Sequence, residues 1–108
     1  MEIVEVARQL HEKSEMLKEA IERLYKSAQS KVDAERVYRV EYARALYDLR
    51  QQGHPSNMVH DMAKAKVSNL LYDYLYTSEM HKALVMEIDA LKTTISALQS
   101  VNRYMDQR

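Results

Sequence analysis

The chain has no cysteine, no phenylalanine and no tryptophan, and its 108 residues include one glycine and one proline. Without cysteine there are no disulfides, thiolate metal sites or cysteine nucleophiles, and the redox compartment is left open. With one glycine there can be no Gly-rich phosphate loop or nucleophile elbow, and no His-Glu zinc helix is present. No apolar run approaches the roughly 20 residues that a bilayer-spanning helix needs. Nor is there an excess of charge, since sixteen basic residues balance sixteen acidic ones. That balance argues against a protein that mainly coats nucleic acid or an anionic membrane, while leaving room for a local patch. The opening Met1-Glu2-Ile3-Val4-Glu5 carries acids where a secretory signal carries bases, so a cytoplasmic address is expected. Neither an enzyme nor a bound metal or cofactor is expected.

What remains is helix-forming sequence with one interruption. Gly53 and Pro55 lie in the stretch Gly53-His54-Pro55-Ser56-Asn57, with roughly fifty breaker-free residues on either side. Gly53 suits the left-handed position just past a helix C-terminus. Pro55 cannot continue that helix, and Ser56 or Asn57 can cap the next one. The expectation is one all-α domain over 1–108, a long antiparallel, coiled-coil-like helical hairpin. It comprises a helix over about 2–51, a turn over 52–57 and a helix over about 57–106. A kink near Ala65, or a short separate helix over about 56–65, fits the weaker periodicity after the turn.

A seven-residue frame runs through Ile3, Leu10, Leu17, Leu24, Lys31, Tyr38 and Ala45, with a companion line through Ala7, Ser14, Ile21, Ala28, Glu35, Tyr42 and Leu49. Eleven of these fourteen positions are apolar, the pattern of a coiled-coil seam. The return arm repeats it through Ala63, Val67, Leu70, Tyr74, Thr77, His81, Leu84, Ile88, Leu91, Ile95, Leu98, Asn102 and Met105. In an antiparallel hairpin about this turn, residues at one height have numbers adding to about 110–116. The polar interruptions Lys31, Glu35, Thr77 and His81 then share one layer, and a Glu35–His81 contact is expected to fix the register. Off the frame, Val37, Val40, Leu46, Tyr47, Leu71, Leu75, Val85, Met86 and Val101 form a second apolar set. A lone hairpin buries one stripe per helix, so a homodimer, two hairpins forming a four-helix bundle, is expected to cover the second.

Six of the eight tyrosines flank the turn: Tyr38, Tyr42 and Tyr47 before it, Tyr72, Tyr74 and Tyr76 after it. Such rings either fill a core with their hydroxyls at its edge or form a contact surface. The turn end is also the basic end, for residues 36–66 hold six bases against three acids. Arg36, Arg39, Arg44, Tyr47, Arg50, His54, His60, Lys64, Lys66, Tyr72 and Tyr76 are therefore the candidate partner-binding residues. The partner is read as a protein gripped by a helical surface. Single-stranded DNA or a DNA complex met by the basic end is one alternative, and a structural coiled-coil spacer is another. His54, His60 and Asp61 are the right residue types for a metal or proton relay but lack a specific spacing.

The segment Tyr38-Arg39-Val40-Glu41-Tyr42-Ala43, then Leu49-Arg50, Gly53, Pro55 and Asp61-Met62-Ala63, resembles small uncharacterised helical-hairpin proteins of phages and prophages of Gram-positive bacteria. The resemblance extends over about residues 36–100, including the ladder from Ile88 to Leu98, and departs at Ala65, where the group usually has glycine. It implies an early phage gene product, encoded near recombination and replication genes and working in the host cytoplasm. An inhibitor of a host defence nuclease, or a replication accessory, fits that setting.

Overall fold

The computed structural model describes residues 2–107. Among them the fold is all-α, with α1 over Ile3–Gln51, α2 over Val59–Lys66 and α3 over Ser68–Asp106, arranged as a helical hairpin. The 49 residues of α1 contain no glycine or proline, so nothing interrupts its hydrogen-bond ladder. Same-face pairs one turn apart support it: Arg39 with Glu35 at 2.9 Å and Arg44 with Glu41 at 2.6 Å. Each such exposed pair contributes about 0.3–0.5 kcal/mol.

Gly53 ends α1 as the sequence suggests. Its φ is +83°, its N–H donates to the Arg50 carbonyl at 3.1 Å, and the His54 N–H donates to the Leu49 carbonyl at 3.3 Å. These two bonds form a Schellman motif, which satisfies carbonyls the helix end would otherwise orphan. The next helix starts later than expected. Ser56 and Asn57 lie within a turn closed by the Met58 N–H on the Pro55 carbonyl at 2.9 Å, and Met58 caps α2 without a side-chain bond. The break beyond α2 falls at Val67, two residues past Ala65: φ −107° and ψ 19° take Val67 out of the helical region. Its N–H still reaches the Ala63 carbonyl, and its side chain is buried with Val59 and Ala63.

The chain packs as two compact units. In the turn unit, residues 27–81, α2 lies against the C-terminal part of α1. Ala45, Leu49, Val59, Ala63 and Val67 are buried there, with Tyr38, Tyr42, Leu46, Met62 and Leu70 packed around them. The alanines let the backbones approach, and fully burying a side chain such as Leu49 or Val59 is worth about 1.5–3 kcal/mol. In the terminal unit, which takes the described residues up to Lys26 and from Lys82 onward, Ala20, Ile88 and Leu91 are buried among Leu17, Leu24 and Leu84. Arg23 reaches Glu87 across the pair at 3.1 Å.

Every expected seam position from Ala63 to Met105 is buried or half-buried. On α1 the expected line through Leu10, Leu17 and Leu24 is also covered, whereas its companions Ala7, Ser14 and Ile21 are exposed. The line one residue earlier is covered instead at Val6, Lys13 and Ala20, and from Ser27 to Glu35 both lines are half-buried, Ser27 with Ala28 and Ala34 with Glu35. Between Ala20 and Tyr38 the covered positions thus pass from the earlier line to the expected frame, which holds at Tyr38, Tyr42, Ala45 and Leu49. This is a stutter. A helix of 3.6 residues per turn drifts about 20° per heptad against a strict seven-residue seam, and one step of four resets it.

The polar layer differs from expectation as well. Lys31, Glu35, Thr77 and His81 are all half-buried, but His81 Nδ1 lies 3.2 Å from Ser27 Oγ and takes no contact from Glu35. Glu35 accepts from Arg39 on its own helix, and the Thr77 hydroxyl donates to the Asp73 and Tyr74 carbonyls. The numbers of the Ser27–His81 pair add to 108 and those of the stacked Tyr38–Tyr74 pair to 112. At that register Glu35 is about two helical turns from His81 and is satisfied locally.

Candidate contact surface at the turn end

The stutter on α1 and the break at Val67 bring aromatic rings from three helices together. Tyr38 on α1 stacks on Tyr74 of α3, with ring centroids 6.1 Å apart and planes 22° apart. Tyr42, one turn further along α1, lies 6.0 Å from the Tyr38 ring. Its hydroxyl is hydrogen-bonded to Nδ1 of His60 on α2 at 2.9 Å, and the rings are 6.4 Å apart. The half-buried tyrosines therefore serve the core, and the Tyr42 hydroxyl meets its partner at the edge. His60 is thereby tied to the fold rather than held as a loose loop side chain.

The remaining tyrosines of the turn unit face outward. Tyr72 and Tyr76, one turn apart on α3, are stacked at 6.1 Å with planes 16° apart, and are 66% and 54% exposed. Tyr47 is 63% exposed. A stacked, exposed pair limits each ring's rotamers before any partner arrives, which lowers the entropy lost on contact.

The basic candidates divide into two kinds. Arg39 and Arg44 are each paired with a carboxylate of their own helix, Glu35 and Glu41. Arg36, Arg50, Lys64 and Lys66 are exposed. His54 is half-buried, its Nε2 3.3 Å from Gln52 Oε1. Sequence reasoning singled out these residues but missed a hollow of roughly 200 Å³ lined by Asp33, Ala34, Val37, Leu70 and Asp73. No sequence pattern singles out Asp33 and Asp73, and only the antiparallel pairing places one at each side of an apolar floor. Among the described residues no cluster of three or more metal-ligating side chains occurs, and no helix is long and apolar enough to cross a membrane.

No protein-family model, curated protein or solved structure matches the chain.

Proposed function

We propose that this chain is a non-enzymatic protein-binding module that acts by occupying a partner protein's working surface, with the turn unit in contact. The carrying observation is the stacked, exposed Tyr72–Tyr76 pair on α3. Large aromatic surface with a polar tip is the residue chemistry most enriched where proteins meet. The rigid paired helices behind it suit occlusion better than catalysis, because they offer area rather than an enclosed reacting site. The phage resemblance adds a setting: the partner is a host or phage protein in the host cytoplasm, such as a defence nuclease or a replication factor.

The basic end is a weaker argument for DNA, since Arg39 and Arg44 already face carboxylates one turn away. The two readings separate by salt. Capture from a bacterial lysate, with the purified chain as bait, is expected to retain one protein in near-stoichiometric amount from physiological to high salt. Retention of nucleic acid that falls steeply with salt, or of nothing specific, would contradict the proposal.

A further inference from the structure

One stripe of α1 in the turn unit is unused by the hairpin core. Asp33, Val37, Val40, Arg44 and Tyr47 follow one another in steps of four, three, four and three, the spacing of a helix seam. All five are exposed, with Val37 at 42% and Val40 at 48%. The stripe is palindromic in charge: an acid, two valines, then a base. When two such helices run antiparallel about a twofold axis between Val37 and Val40, residues whose numbers add to 77 come level. Asp33 then meets Arg44 of the second copy and Val37 meets Val40, each pair occurring twice. An isologous contact demands this self-complementarity, and an arbitrary solvated face would put like charges together as often as unlike ones.

We propose that this stripe is a homodimer interface, covered by the same stripe of a second copy in antiparallel register, with Asp33 paired to Arg44 and Val37 to Val40. The hollow beside the stripe supports the assignment. Its apolar floor of Ala34, Val37 and Leu70 suits the aliphatic stem of an arginine, and Asp33 and Asp73 at its rim suit the guanidinium. Arg44 has a local carboxylate in the single chain, Glu41. In the dimer that exposed pair is exchanged for an Asp33–Arg44 pair between copies, formed twice beside the facing valines. The inference goes beyond the proposed function and uses a different surface from Tyr72 and Tyr76, so each can fail without the other.

The test is sedimentation of the full chain with two charge reversals. The unaltered chain is expected to be a concentration-dependent dimer. Asp33→Arg and Arg44→Asp are each expected to weaken it about tenfold or more, because like charges then face each other. Mixed in equal amounts, the two variants regain the dimer, since one supplies both bases and the other both acids. Carrying both changes in one chain restores self-association as well. Circular dichroism shows whether each variant keeps its helix content. A chain that stays monomeric at every concentration overturns the proposal. So does a dimer indifferent to Asp33→Arg, or a pair of variants that do not recover on mixing.

Discussion

The Tyr42 hydroxyl on α1 and Nδ1 of His60 on α2 stand 2.9 Å apart, the one side-chain hydrogen bond recorded between these helices among the described residues. Apart from it, α2 is held to α1 by apolar contact around Leu49, Val59 and Ala63. An eight-residue helix is too short to persist without tertiary support. Tyr42→Phe keeps the ring and removes the bond, so a loss of about 0.5–1.5 kcal/mol is expected. Amide hydrogen exchange should locate it: faster exchange over 59–66 with α3 little changed. Uniform exchange across all three helices would show that the bond does not anchor α2.

Gly53 is required for its backbone angle and not for space. At φ +83° an L side chain is strained, yet nothing lies within 4 Å of where a Cβ would sit. Gly53→Ala should therefore cost about 1–2 kcal/mol, and Gly53→Asn less, because asparagine tolerates the left-handed region better. Thermal unfolding of the two variants checks the order. Equal losses would point to a steric cause.

The first turns of α1 should respond to acid. Hydrogen bonds from Arg8, and then from Gln9, hold the Glu5 carboxyl at about 2, below its ordinary value of 4.5. A lowered carboxyl stabilises the fold while it is ionised. Its contribution is complete above about 4.5 and is lost as the pH falls toward 2. The Glu5 side chain is 42% exposed, so the effect is small, local and weakened by salt. Amide signals over residues 3–12 should show fraying in that window, and Glu5→Gln should remove the pH dependence there. Fraying centred well above pH 4.5 in the unaltered chain would contradict this account.

Ala20 is fully buried and Ile21 is 37% exposed. A larger side chain at Ala20 has no room beside Ile88 and Leu91, so Ala20→Leu should cost about 1–3 kcal/mol. Ile21→Ala should fall within about 1 kcal/mol. If the costs are reversed in chemical denaturation, α1 uses the strict seven-residue frame and not the stuttered one.

That contrast marks where the sequence could be followed and where it could not. The hairpin was legible because Gly53 and Pro55 are the chain's only breakers, and the α3 seam because Leu84, Ile88, Leu91, Ile95 and Leu98 are large and regularly spaced. On early α1, counting apolar residues favours Ile21 over Ala20. Close helix approach favours the smaller side chain, and a hydrophobicity count does not register closeness. The Glu35–His81 expectation failed for a related reason: a few residues of register decide which polar groups are level, and Glu35 had a nearer partner in Arg39. Weaker periodicity after the turn hinted at a break near Ala65, but no glycine or proline places it at Val67, so the meeting of Tyr42 with His60 was not legible. The exposed Tyr72–Tyr76 pair was readable as spacing on one helix, but its stacking was not.

The most direct test of the protein-binding role compares the unaltered chain with a Tyr72→Ser, Tyr76→Ser variant as bait in the same bacterial lysate, with the retained proteins quantified by mass spectrometry. Both substitutions fall on exposed side chains, so helix content and unfolding temperature should be nearly unchanged. A protein held by the unaltered chain and reduced about tenfold or more with the variant is the predicted result. Equal retention of that protein by both baits would contradict it.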